Sequence, residues 1–228
     1  MPAEEQTIVE LAYPGEYLSR LGQAETKTCK IRLSRKGQGL LARMYASRGY
    51  NMQATLSHDC DLSSLVVQID GQAQGTISVR MDDGYLAAEE HYPEYIAALR
   101  QRGARICEMG KLAMDPGVRS KHVLGAIFHI AWIVAFRARR ATDIVIEVNP
   151  RHAPFYRRML CFDQIGPERM CERVGAPAVL LHIGADKGRR LIDQFGGQPK
   201  LASVERSFYP YFFHPDDEEG LLRRLSVG

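Results

Sequence analysis

The sequence predicts a mixed α/β domain, a central sheet with helices packed on both faces. Three stretches carry that expectation. "LVVQIDGQAQGTISVRM" (65–81) sets two β-branched runs around Asp70-Gly71, the strongest short hairpin signal in the chain. "VLGAIFHIAWIVAF" (123–136) is apolar on nearly every side, so it reads as a buried helix. Arg137, Arg139 and Arg140 close it, as cations suit a helix C-terminus. "DIVIEV" (143–148) is a near-continuous apolar run, the pattern of a strand covered on both faces.

The remaining elements follow in chain order. "KTCKIRL" (27–33) alternates as a strand does, and "KGQGLLARMYASRGY" (36–50) has helical spacing through Leu40, Leu41, Met44 and Tyr45. After the hairpin, "YPEYIAALRQRG" (92–103) reads as a helix closed by Gly103. "RICEMGKLAMD" (105–115) reads as a strand in which Gly110 is the candidate bulge. The buried helix spans about 120–140. Strand 143–148 then stops at Asn149-Pro150, a short basic and aromatic helix follows, and "APAVLLHI" (176–183) is the last clear strand. Three regions result: an N-terminal extension, 1–26; the α/β domain, 27–185; and a C-terminal extension, 186–228. The aromatic run "SFYPYFFHP" packs the last of these on the domain, because so many rings do not suit a free tail.

Hydrophobic residues make up 45% of the 228 and charged residues 25%, enough for a sizeable core and against global disorder. The longest apolar run falls short of the roughly 20 residues of a membrane span, so no integral membrane contact is expected. The five cysteines, 29, 60, 107, 161 and 171, show no metal-ligand spacing. An odd count with no apolar leader at the start suggests reduced thiols in a cytoplasm. The net charge of +3 hides an asymmetry. Residues 100–173 carry 14 Lys and Arg against 7 Asp and Glu, a balance of +7 that leaves −4 for the remainder. Either an acidic partner or anionic ligand, or simply a solvated basic surface, accounts for this. Nothing calls for nucleic acid.

Proline cannot donate to a sheet ladder and biases its predecessor away from helix. Strand 143–148 therefore loses its neighbour at Asn149. If strand 105–114 lies parallel beside it, the two splay at Asn149 and leave unpaired backbone at their carboxyl ends, where open α/β sheets place ligands. Arg119, Ser120, Lys121 and His122 stand at the start of the long helix, where cations are mildly unfavourable. Either an anion docks there or the side chains reach away into water. Glu108, between Cys107 and Met109, is either an ion-pair partner of Lys111 or Arg105 or a base with a raised pKa. Tyr156 either donates a proton to a leaving group or is an ordinary half-buried tyrosine. His152 is a second base or a helix-start cap.

With these parts in place the chain resembles the GNAT-type acyltransferase superfamily from about Lys27 to Ile183. The resemblance rests on "EMGKLAMDPGVRS", the long helix, and "IVIEVNPRHAPFYRRMLCFDQIGPER". The run "NPRHAPFYRRMLCF" with "IGPE" looks most like the N-acyl amino acid synthases, which are close in fold to acyl-homoserine-lactone synthases that make autoinducer signals. The resemblance implies a mostly antiparallel sheet with one splayed parallel pair. It implies acyl transfer from a phosphopantetheine thioester to an amine, with no permanently bound cofactor. The pantetheine arm would lie between the strands ending near Met114 and Val148, beside Asn149. Backbone groups of Leu112, Ala113 and Met114 would hold it and polarise the thioester. Glu108 matches the strand of the general base, and Tyr156 the position that protonates the thiolate.

Two departures refine this. Acyl-CoA members carry a glycine-rich loop before the long helix. Here "RSKHVL" puts His122 and Leu124 at the glycine positions, which favours a single phosphate on an acyl carrier protein, held by Arg119 and Lys121, over a CoA pyrophosphate. Cys161 replaces the usual glycine before Phe162. The expected function is thus long-chain acyl transfer from an acyl carrier protein to an amino acid. The alternatives are an acyl-CoA N-acyltransferase on a small amine, a lactone-type signal synthase, and a non-catalytic acyl- or partner-binding descendant.

Overall fold

The structure, a computed structural model, describes residues 6–14, 26–34 and 62–226. The helix expected over 36–50 lies outside these. Among the described residues nine strands form the sheet, ordered β1-β2-β3-β4-β5-β6-β9-β7, with β8 beside β9. All pairs are antiparallel except β5 with β6.

β3 (Leu62–Ile69) and β4 (Gln72–Met81) are the expected hairpin. Asp70 and Gly71 both take positive φ, 52° and 74°, as a two-residue turn matched to strand twist requires. β2 (Thr26–Ser34) pairs with β3. β1 (Gln6–Pro14) forms the edge beyond it, so the region 1–26, expected to be an extension, contributes a strand to the sheet. α1 (Pro93–Gln101) starts with Pro at its first turn, where a missing N–H costs nothing, and ends before Gly103 at φ 78°. β5 spans Ile106–Met114 and β6 Asp143–Val148. Between them α2 (Lys121–Trp132) widens into a π-type turn, Ile133–Ala138, where the Arg139 N–H reaches back to the Val134 carbonyl at 2.9 Å. This run of 18 residues is long and apolar enough to cross a membrane by composition, yet most of it is buried as the core helix of the domain.

A turn at Pro150–His152 leads to α3 (Ala153–Leu160). Cys161 caps α3 in the left-handed region, φ 58°, the conformation that glycine adopts most cheaply. β7 (Asp163–Gln164), β8 (Arg169–Cys171) and β9 (Ala176–Gly184) follow, then α4 (Ala185–Phe195) and α5 (Glu218–Ser226).

Strand alternation sends neighbouring residues to opposite faces. Cys107, Met109, Ile144 and Ile146 join the larger core beneath α2 and the C-terminal segment. Ile106, Val145 and Leu180 join a smaller core around α1, centred on the fully buried Tyr92. The Tyr92 hydroxyl donates to the Ala178 carbonyl at 2.6 Å.

Candidate active site

β5 and β6 pair at three positions only, Ile106↔Asp143, Cys107↔Ile144 and Glu108↔Val145. The splay was expected at Asn149, caused by Pro150. It begins earlier, just after Val145, and its origin lies on the other strand. The β4–β5 register jumps between Ser78↔Gly110 and Thr76↔Ala113, so Lys111 and Leu112 face Ile77 together. Lys111 takes φ 51°, which marks it, rather than Gly110, as the left-handed residue of a β-bulge. The bulge bends β5 away while β6 continues with β9 to Val148↔Val179. Asn149-Pro150 has a local task instead. Asn149 Oδ1 accepts the Arg151 N–H at 3.1 Å, and Pro150 starts the turn that aims α3.

A cavity of about 280 Å³ fills the gap and is lined from both faces of the sheet. On the α2 face its walls are Ile77, Met109, Phe128, Ile146, Leu160 and Phe162. On the α1 face they are Arg80, Tyr85, Glu90, Glu108, Glu147 and Arg173. One compartment is apolar, the other densely charged, and the unpaired strand edges lie between.

Glu108 stands where pairing stops. Its carboxylate accepts the N–H groups of Ala87 at 2.7 Å and Ala88 at 3.1 Å, the start of a short 3-10 turn. Arg105 turns away to the Arg139 carbonyl, so it is not the Glu108 partner. Burial pushes the Glu108 carboxyl up to about 7; Glu147 adds to the rise, while the Ala87 N–H, Arg173 and Arg80 oppose it. A carboxyl poised there exchanges a proton at neutral pH.

Around it runs a charged chain. Arg173 bonds Glu147 and reaches Glu90 at 3.1 Å. Tyr85 donates to Glu90 at 2.5 Å, and burial together with that carboxylate holds its phenol up to about 12, protonated at neutral pH. His91 Nδ1 lies 3.0 Å from Glu147. His91, Glu147 and Cys171 bring their donor atoms within 4.8 Å of one another, the described group able to hold a metal ion. The Arg173 guanidinium bonded to Glu147 and 3.9 Å from the Cys171 sulfur already places a positive charge there, which competes with a cation.

Four of the residues singled out from sequence besides Glu108 line the cavity: Leu112, Asn149, His152 and Tyr156. Tyr156 is half-buried, edge-on to Phe155 and Phe162 at 5.2 and 6.3 Å. His152 is exposed and accepts from Arg151 at 3.2 Å. Ala113 is buried in the β4 pairing, and the Met114 side chain covers Gly75. Neither lines the cavity. Nor do Arg119, Ser120, Lys121 and His122. Ser120 is the N-cap of α2 without a side-chain cap bond, and Arg119 donates to the Pro116 carbonyl at 3.3 Å. Lys121 and His122 instead meet the Tyr211 ring, 5.9 and 4.9 Å away. Sequence reasoning missed Arg80, Glu147 and Arg173. Glu147 carried the same signal as Glu108, a carboxylate inside an apolar strand.

A family model described as "FeeM: N-acyl amino acid synthase FeeM" matches residues 36–184. The solved structure of FeeM, an N-acyl amino acid synthase from uncultured soil microbes, is similar at 23% identity and TM-score 0.62, over 71% of this chain and 93% of that one. An uncharacterized Bacillus halodurans protein is similar at 11% identity and TM-score 0.51, over 81% and 94%. A Vibrio cholerae spermidine/spermine N-acetyltransferase has 14% identity and TM-score 0.48, over 71% and 96%. No curated protein matches the chain. With the family model spanning most of the sequence, and the bulged, splayed sheet beneath it, the chain belongs to the N-acyl amino acid synthase family and is an acyltransferase of the GNAT fold.

Proposed function

We propose that the protein moves a long acyl chain from an acyl carrier protein thioester to the amino group of an amino acid. The observation that carries this is the cavity through the sheet, apolar on the α2 face and charged on the α1 face, with Glu108 at the junction. An acyl chain suits the apolar compartment, and its thioester then sits in the gap beside the free edge of β5. A zwitterionic acceptor suits the other side, where Glu90, Glu108 and Glu147 face an ammonium and Arg80 and Arg173 supply charge for a carboxylate. Glu108 takes the proton of the ammonium, and the free amine attacks the thioester carbonyl. N–H groups on the β5 edge stabilise the oxyanion. Collapse of the tetrahedral intermediate breaks the C–S bond, Tyr156 protonates the departing thiolate, and the extra proton still on the nitrogen passes through water to the Tyr156 phenolate, leaving a neutral amide and a free thiol.

A carrier protein as donor draws support from the basic half of the chain. Arg119, Lys121, Arg151, Arg157 and Arg158 are exposed, and an acidic partner docking on such a surface is steered and salt-sensitive. Arg137, in the same basic half of the chain, is instead held by Glu218 at 2.7 Å and Glu219 at 3.3 Å. The reaction we propose is cytoplasmic; the described cysteines, 29, 107, 161 and 171, are free thiols, as a reducing compartment keeps them.

The test compares kcat/KM for an acyl carrier protein thioester and the matching acyl-CoA, in wild type and Arg157→Glu, with products read by mass spectrometry across the amino acids. Preference for the carrier, lost selectively in the variant, is expected. Equal or better use of CoA with no selective loss would instead establish an acyl-CoA-dependent enzyme.

A further inference from the structure

Phe128, which is 5% exposed, lines the apolar compartment of the cavity. Beside Phe155 of the family domain, 6.5 Å from Phe128, stands the C-terminal segment, beyond the residues that the family model matches. Phe208, 2% exposed, stacks on Phe128 with ring centres 5.8 Å apart and sits edge-on to Phe155 at 5.7 Å. The same segment ties the end of α3. The Phe208 N–H donates to the Met159 carbonyl at 2.9 Å, and the Tyr209 hydroxyl donates to the Leu160 carbonyl at 3.0 Å. Leu160, like Phe128, lines the apolar compartment.

The segment is itself held hard against α2. Glu218, 1% exposed, gathers Arg137 at 2.7 Å, Arg189 at 2.7 and 2.8 Å, and the fully buried His129 at 3.2 Å. His129 Nδ1 accepts the Phe213 N–H at 3.0 Å, which leaves the proton on Nε2, facing Glu218. At Gly125 of α2 a Cβ would come within 2.8 Å of the Tyr211 carbonyl and Cβ, so the two backbones meet at a distance that no side chain allows.

We propose that the C-terminal segment sets acyl-chain length. Phe208 is the wedge that fixes Phe128 and Leu160 as the floor of the apolar compartment, and chain-length selectivity is therefore written outside the catalytic domain. The inference rests on the acyltransferase reading above and names the residues that determine its donor. A packed interior does not yield smoothly to an extra methylene, so one methylene too many is rejected by about tenfold or more. Shrinking the wedge lets Phe128 swing back and deepens the floor. Enlarging it pushes Phe128 inward.

The test measures kcat/KM over a ladder of acyl donors of increasing length for wild type, Phe208→Ala, Phe208→Leu and Phe208→Trp, with thermal unfolding of each. Within one variant the ratio of long to short donors cancels any general loss of activity. Phe208→Ala should raise that ratio by about tenfold, with Leu intermediate, whereas Trp should lower it. Should the Ala variant fail to fold, the opposed Leu and Trp shifts decide the matter. Wild-type transfer with one unchanged length profile in every folded variant would overturn this inference and leave the activity standing. Absence of transfer by wild type from any donor to any amine would overturn the activity itself, and this inference with it.

Discussion

Glu108→Gln keeps the shape of the side chain and removes its ability to hold a proton. Two effects of opposite sign should follow. Without a base the amine stays charged, and transfer slows by about 10² to 10⁴-fold, the usual worth of general base catalysis. Stability moves the other way. The folded-state pKa of Glu108 is raised from 4.5 to about 7, so the folded state binds the proton more tightly than the unfolded state does. Its contribution is fully present below about pH 4.5 and is lost as pH rises through about 7. At 1.36 kcal/mol per unit the wild type loses roughly 3 kcal/mol across that window, which a neutral Gln does not lose. Ala87 and Ala88 bond different carboxylate oxygens, so a Gln keeps one acceptor and turns its NH2 toward the other N–H, a cost that does not depend on pH and leaves the pH-dependent difference as the readout. Urea unfolding at acid and alkaline pH reads the second effect, and a pH profile of kcat/KM reads the first. Wild-type kcat/KM should rise with an apparent pKa near 7. A Gln variant that keeps this limb and its turnover, or a wild-type-to-Gln stability difference that does not change with pH, would refute the assignment of the proton to Glu108.

Other residues make separate claims. Tyr156→Phe should lower kcat by about a hundredfold with the thioester still bound, if the phenol protonates the thiolate; steady-state kinetics with an unchanged kcat would remove it from that role. Glu218→Gln leaves His129 and two arginines facing a neutral amide in a buried site and should cost about 3 kcal/mol or more in denaturant unfolding. The same cluster should weaken in acid. Burial lowers the His129 pKa, and against the opposing effect of burial the bonds from His129 and Arg189 hold Glu218 below its ordinary value, so both contributions are full above the unfolded values and are lost as pH falls on through the lower folded values. Cys161→Gly should raise stability by about 0.5 to 1 kcal/mol, because the αL cap of α3 strains a residue with a Cβ; a loss measured by thermal unfolding would mean that the Cys161 side chain contributes more by packing.

The hairpin at Asp70-Gly71, the buried helix and strand 143–148 were legible because each rests on a local rule, a turn residue or a period of apolar side chains. β7 and β8, two and three residues long, are too short to show a period. The origin of the splay was misread for a related reason. Proline announces itself in a sequence, whereas the bulge at Lys111 exists only in the register between β4 and β5, which is a long-range property. Glu108 was legible as a carboxylate in an apolar strand, but its partners are backbone N–H groups of a turn some 20 residues away, which no spacing rule reports. The stacking of Phe208 on the cavity residue Phe128 was hidden most completely. Phe128 lies 80 positions from Phe208, and only tertiary packing reveals which of the many rings are neighbours.

The bulge explains why one strand pair can serve two substrates of opposite polarity. A continuous sheet is a barrier, since each strand fills the hydrogen-bonding edge of the next. After Glu108 and Val145 that barrier opens, and the facing edges of β5 and β6 keep donors and acceptors with no strand partner across the gap. Each such group costs about 1 to 3 kcal/mol if it is buried and left unmet. A thioester whose arm carries amides meets that demand by lying in the gap like an added strand, and the demand is directional, so it fixes the carbonyl as well as binding it. The two faces then divide the remaining work. In the proposed reaction the acyl chain takes the side where alternate residues of β5 and β6 are apolar, and the amine the side where the residues between them are Glu108 and Glu147. Strand alternation alone, period two, is what puts a buried carboxyl and an apolar wall on adjacent residues of one strand and on opposite faces of the gap, as the proposed transfer requires.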